Sequence, residues 1–483
     1  MPSKTAAWTL AALLSGSGAA FAAPATSDEA QLIRGQLERY LGRGPVAVTP
    51  EGDAYRIAID LKAALKGLER FGVTLDPVTY RLSAAAQGDG TWHVTSGSPP
   101  LITVKAGGQT TSIAANNQSF DGIFDPRIPA FTKSTSSYDS LSIGTVGTGQ
   151  GKAATVTAVQ TRQLQHGQQT MAATPAGDGV IDAKFTQGNT AYAQDFVLDA
   201  AKGAQHVTVT GGPTSDTFTI SKLPIRALLD LWAFLVAHPS PDELKTNQAA
   251  FKDLLRRALP LFASLTQDGT LGQLAVATPF GPVAAHALST HLDLTGLTDN
   301  GSASFAVKAD DLVLPVALLP PWAPALIPTG IDLHDSLTGY RLDQAAEAAI
   351  DGLDLGAPEP LSPATSEKIQ AALGSRDTLV VKLGDNRITT PTFEAQFSGE
   401  VHLVQPTPTF TVAVHARGLD KAIAAVRTKA AKDPTAAQAI AILTLVKGYG
   451  KADGNDAFSW DVAGDGTGAL TVNGVPLPIG PSK

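Results

Sequence analysis

A chain of 483 residues with 36 basic and 44 acidic side chains, a net charge of −8 and no cysteine is long enough for two or three domains of about 150 residues each. A core of that size needs no covalent staple. The missing thiols exclude disulfides, thiolate metal sites, cysteine nucleophiles and a lipid anchor on cysteine, and an acidic balance with no basic cluster to offset it argues against nucleic acid as a partner.

The N-terminus reads as an export signal. Lys4 is followed by an apolar stretch from Ala6 to Phe21, and Ala20-Phe21-Ala22 has the small-x-small form of a cleavage site. Residues 1–22 are therefore expected to be removed after Ala22, leaving a periplasmic chain. Ser15, Gly16, Ser17 and Gly18 interrupt the run, which falls short of the about 20 residues that span a bilayer. No later segment is apolar and long enough to predict a transmembrane helix.

A first helix is expected from Ser27, its cap, to Leu41, with Leu32, Ile33, Leu37, Tyr40 and Leu41 on one face. A strand follows in which Tyr55, Ile57, Ile59 and Leu61 alternate with polar or small residues. From Arg81 to Leu223 the pattern is strands and turns, with short strands expected near Tyr138, Val156, Phe185, Phe196 and Val207. Gly-Asp-Gly turns at 88–90, 177–179 and 464–466 are hairpin signals, because Asp and Gly tolerate positive φ.

Pro224 opens a helical hairpin carrying Ile225, Leu228, Leu229, Trp232 and Leu235, then Leu254, Leu255, Leu259 and Phe262. His238-Pro239 stops its first arm, and Ser240-Pro241-Asp242-Glu243 is a capping box opening the second. In the second half, strands ending near Gly339 and Gly418 run into Ala-rich helices, around 343–350 and from Leu419 towards Lys447. Pro434 should split the latter. A hairpin around Trp460 and Leu470 closes the chain. These elements predict an α+β fold: a large, mostly antiparallel, meandering β-sheet with a helical hairpin and a few further packed helices. The expected divisions are 1–22, 23–223, 224–265 and 266–483.

Catalytic motifs are scarce. Gly144 to Lys152 suggests a phosphate loop, but Val146 stands where the first glycine belongs and Ala153 replaces the magnesium-binding hydroxyl. An inter-strand loop fits better. His291 and Asp293 share a strand face and lack a nearby third metal ligand. His402 and His415 read as outward-facing strand positions. Neither His-Glu-x-x-His nor Gly-x-Ser-x-Gly occurs, so no catalytic residue, metal ligand or cofactor is assigned.

The most unusual segment runs from Leu312 to Ile327. It carries no charge between Asp311 and Asp332, and Pro315, Pro320, Pro321 and Pro324 deny it a regular helix or central strand. Such a loop must either cover a core or present apolar surface. Leu318, Leu319, Trp322, Leu326 and Ile327 are its candidate binding residues.

Tyr40-Leu41-Gly42, Tyr55-Arg56, Phe120 to Pro126, Leu326 to Thr329 and Val472 to Leu477 together resemble the alphaproteobacterial envelope proteins of the domain-of-unknown-function family 2125. The terminal Asn-Gly-Val-Pro-Leu is also similar to endings in AsmA-type envelope proteins. The first family implies no chemistry; the second implies, by analogy, a lipid or outer-membrane role. The leading expectation is a non-enzymatic exported protein that binds a hydrophobic ligand, a lipid or an outer-envelope protein. A scaffold without a small ligand comes second, and an exported hydrolase third.

Overall fold

The computed structural model describes residues 24–477 except 100, 151–154, 201–202, 279, 317–318, 374–378, 404–406 and 431–432. The expected signal segment with Ala22, Leu318 and the end of the phosphate-loop-like run lie outside the described residues. Strands take 53% and helices 25%, so the α+β class with a large antiparallel sheet stands. The chain divides into two compact units. One comprises Met1–Thr208, Pro213–Leu265 and Ala346–Glu367; the other comprises Val209–Gly212, Thr266–Ala345 and Lys368–Lys483.

In the first unit, helix α1 (Ser27–Leu41) is capped not by Ser27 but by Thr26, whose hydroxyl accepts the Glu29 amide at 3.3 Å. Ile33, Leu37 and Leu41 bury its inner face. They pack on strands β1 (Val46–Glu51), β2 (Ala54–Asp60), β4 (Thr79–Ala86), β5 (Trp92–Ser96) and β8 (Ser119–Asp125). A short helix α2 (Leu61–Ala64) and strand β3 (Val73–Leu75) lie between β2 and β4. Tyr55 and Trp92 form an aromatic centre, and the Tyr55 hydroxyl donates to Glu29 at 2.5 Å. This bond ties helix to sheet.

The short strands expected near Tyr138 and Val156 are instead two long ones, β9 (Ala130–Gln150) and β10 (Thr155–Gly177). They pair with each other along nearly their whole length. The same finding corrects the loop expected at Gly144 to Lys152: residues 144–150 belong to β9. Each long strand also serves two neighbours in succession. β9 pairs with β8 and then with β7 (Gln109–Asn116), itself paired to β6 (Ile102–Ala106). β10 pairs with β12 (Ala191–Ala200) and then with β11 (Val180–Asn189). The join in β10 falls at His166, which has φ 44°. The adjoining Gly167 lies under the Tyr138 ring, where any Cβ would collide with the aromatic carbons. Serine, threonine and glutamine dominate both strands, so apolar alternation, the usual marker of strand length, is faint.

After β13 (Gly203–Gly211) and β14 (Thr214–Leu223), the expected hairpin forms as α3 (Ile225–Ala237), a short α4 (Pro241–Thr246) and α5 (Gln248–Ala258). The capping box is present, with reciprocal Ser240–Glu243 bonds of 3.2 and 2.9 Å. The hairpin ends earlier than expected, at Ala258, and Leu259 and Phe262 lie beyond it. α3 lies against α1 through a Trp232 indole N–H to Tyr40 carbonyl bond of 2.8 Å and an Arg39–Asp230 ion pair.

The second unit begins with β15 (Ser264–Thr278) and β16 (Gly281–Thr295). Its sheet continues by antiparallel pairing through β17 (Gly301–Asp310), β18 (Gly330–Tyr340), β19 (Val380–Thr389), β20 (Glu394–His402), β21 (Thr409–Arg417) and β23 (Ala457–Asp465). β22 (Lys451–Gly454) and β24 (Leu470–Val472) share the far edge of β23, and β25 (Val475–Pro476) extends β24. Two strand-to-helix steps appear as expected: β18 leads into α6 (Leu342–Gly352), and β21 leads through Gly418, φ 94°, into α8 (Leu419–Ala430). Pro434 splits the last helical stretch, opening α9 (Pro434–Tyr449). Helix α7 (Pro363–Ala372) has no counterpart in the sequence reading. Trp460 centres a core with Leu419, Ala416 and Val472, and its indole N–H donates to the Val446 carbonyl at 2.8 Å.

Candidate functional site

The proline-rich segment forms the connection from β17 to β18. Its two ends meet: the Leu312 amide donates to the Thr329 carbonyl at 2.7 Å, and the Thr329 amide to Thr389 at 2.7 Å. This closed base holds the two ends of the loop together. An isolated bridge from Val313 to Ala284 and a 3-10 turn at Ala323–Ala325 are its regular structure among the described residues. That is what four prolines permit.

Trp322 is half-buried, and its indole N–H donates to the Thr435 hydroxyl at 2.9 Å. Thr435 in turn bonds Asp433, the residue that caps α9, at 2.7 Å. On the other side, the Thr392 hydroxyl donates to the Ala325 carbonyl at 2.6 Å. The loop is thus pinned between the β19–β20 turn and the start of α9. Leu326 and Ile327 are half-buried with Trp322. Leu319 differs: it is 42% exposed, as Val313 and Val316 are at 50% and 49%. The expected binding residues therefore split into an inner set that closes the loop and an outer apolar edge open to solvent.

The sequence predicts the helix to which this loop is pinned, but not that one side of it is apolar and exposed. In α9, Ala441, Ile442, Leu445 and Val446 are exposed, with Ile442 and Leu445 each at 61%. Ala441, Thr444, Leu445, Gly448 and Tyr449 line an open hollow of about 600 Å³ along this side. The missed signal is compositional: Gln438, two threonines and Lys447 are the helix's only polar side chains, so it is apolar on nearly every side. The even acidity expected of the chain also needs correcting here. Residues 419–451 carry six basic residues against Asp420 and Asp433, a net +4.

A second concavity, of about 550 Å³, opens on the sheet of this unit. His291, Phe305, His334, Asp335, Lys382 and Glu400 are among its lining. His291 bonds Asp268 on β15 at 2.7 Å rather than acting with Asp293, and His334 bonds Asp332 at 2.7 Å. His291 and His334 both register with Ala306 on the strand between them. Their backbones are therefore two strand spacings apart, about 10 Å, and each imidazole is engaged by its own aspartate. Among the described residues no cluster of three or more potential ligands forms. His402 lies near Glu400 at 3.6 Å on an exposed position.

The floor of this concavity is a doubled bulge. Register slips between Asp332 and Asp335 on β18 and between Leu383 and Asn386 on β19. Asn386, 1% exposed, bridges the slip: its side-chain oxygen accepts the His334 amide at 2.5 Å and its NH₂ donates to Asp335 at 3.0 Å. A buried amide with both ends bonded locks a register that the strands alone leave ambiguous.

Comparisons with family models, with curated proteins and with solved structures find no match for this chain.

Proposed function

We propose that the chain is an exported, non-enzymatic envelope protein that binds a hydrophobic ligand of lipid character at the outer edge of its proline-rich loop. The observation that carries this reading is the exposure of Val313, Val316 and Leu319 on a loop fastened from behind by Trp322. Apolar surface kept outward on a rigidly held loop is arranged for contact rather than for folding. The export signal read at residues 1–22 supports a periplasmic setting, where lipids and lipid-bearing proteins are at hand. The analogy with AsmA-type endings points the same way. The test is native mass spectrometry of protein recovered from the periplasm. A co-purifying lipid that is lost on Leu319→Ser and Val316→Ser substitution is the expected outcome. Protein that carries no lipid, and takes none up from added phospholipid, would overturn it.

A further inference from the structure

We infer that the α8–α9 hairpin docks on the surface of an anionic phospholipid bilayer, with the exposed side of α9 lying in the interface. Three independent features converge on this occupant. The first is the outward apolar face, in which Ile442 and Leu445 are each 61% exposed and Val446 44%. Between the cap Asp433 and Lys447 the helix has no charge at all, and such surface is excluded from water only by a partner.

The second feature is length. Sixteen residues of helix extend about 24 Å, short of the roughly 30 Å hydrocarbon core. A helix of this length does not reach across that core.

The third is charge. The hairpin region has net +4 within a chain of net −8. Helix α8 puts Lys421, Arg427 and Lys429 at the surface, and Lys451 stands exposed just past the end of α9. Exposed apolar side chains and exposed cations carried by one helical hairpin match acyl chains beneath anionic headgroups.

The packing leaves the face free for this role. Ala436 faces inward, fully buried. Lys447 is drawn aside by Asp420, which it bonds at 2.5 Å, and its ammonium sits 5.0 Å from the Phe458 ring centre. The hairpin is therefore held by one side of each helix, and truncating the other side does not touch its core.

This inference rests on the lipid-binding reading above but names a different surface and a bilayer rather than a single bound molecule. The experiment is flotation of the protein, as recovered from the cell, with vesicles of phosphatidylglycerol and phosphatidylethanolamine or of phosphatidylcholine alone. Binding to the first and weak binding to the second is expected. Ile442→Ser with Leu445→Ser should lower vesicle affinity by about tenfold for each aliphatic side chain removed from the interface, with the thermal midpoint unchanged. Lys421→Glu with Arg427→Glu should abolish the preference for phosphatidylglycerol. Flotation that neither pair alters, or no flotation with either vesicle, overturns the inference. So does a concentration-dependent dimer that the Ser pair dissolves in the absence of vesicle binding. A co-purified lipid in protein that does not float would leave the loop site standing and remove the hairpin surface alone.

Discussion

At the scale of single residues, two side chains show what holds the candidate site and its scaffold. Trp322 was legible as unusual from sequence, but its partner Thr435 lies 113 residues away, and no local pattern links them. Because the ring is half-buried, Trp322→Ala should cost about 2 kcal/mol, less than the 3–5 kcal/mol of a fully buried tryptophan. Thr435→Val removes one hydrogen bond and should cost about 1 kcal/mol. If Trp322 acts as the fastening, urea denaturation registers both changes, while lipid uptake at Leu319 and Val316 falls only as the loop loosens. Asp125, within the Phe120 to Pro126 run, is the second case. Its carboxylate accepts two guanidinium bonds from Arg127, at 2.8 and 2.7 Å, and the Arg127 amide at 2.9 Å. The bonded Arg127 side chain holds its pKa below the ordinary carboxylate value. A depressed folded pKa gives stability that is present above the unfolded value near 3.9 and lost as pH falls through the folded one. Asp125→Asn should therefore destabilise the protein by about 1.5–3 kcal/mol at pH 7. Parallel denaturant titrations at pH 7 and pH 3 should show that difference shrinking in acid.

Elements were legible where their signals are local. The Gly-Asp-Gly turns, the capping box at Ser240, the stop before Pro434 and the α1 stripe, apart from Leu32 at 67% exposed, all depend on residues within one turn or one hairpin, and they lie where those signals put them. Strand length was not legible in β9 and β10. There the pairing partners change halfway, and the glycine that permits the change, Gly167, is explained only by the Tyr138 ring on the neighbouring strand. Gly301 beneath Tyr340 repeats the device between β17 and β18. The doubled bulge escapes sequence reading for the same reason: Asn386 in isolation looks like a turn residue, and its role comes from His334 and Asp335 one strand over. Asn386→Leu should leave the part-buried His334 amide without its acceptor, costing about 1–2 kcal/mol. Thermal melting reads the loss. Hydrogen exchange should localise it to β18 and β19, and a melting midpoint equal to that of the unsubstituted protein would show that the strands hold their bulges without the amide.

At the scale of the whole molecule, charge and hydropathy belong together. The chain is acidic overall, yet its most exposed apolar helix sits in its most basic stretch. A second strongly apolar stretch, Ala6 to Phe21, follows a single cation, Lys4. These two segments call for different fates. Among the described residues no helix, α9 included, is long and apolar enough to cross a membrane. The N-terminal stretch, by contrast, ends in Ala20-Phe21-Ala22, the small-x-small form expected of a cleavage site. Loss of residues 1–22 takes away Lys4 and shifts the net charge from −8 to −9, which makes the local +4 of the hairpin stand out further. Expressed in a bacterium with its full sequence, the protein should be released by osmotic shock with an intact mass that begins at or just after Ala23. Any fraction left on membranes should come off in high salt, because surface attraction between exposed cations and anionic lipid is screened within about 10 Å at 0.1 M. A retained N-terminus, or a membrane fraction released by detergent and not by salt, would contradict export with cleavage and place the anchor in residues 1–22 instead of the hairpin.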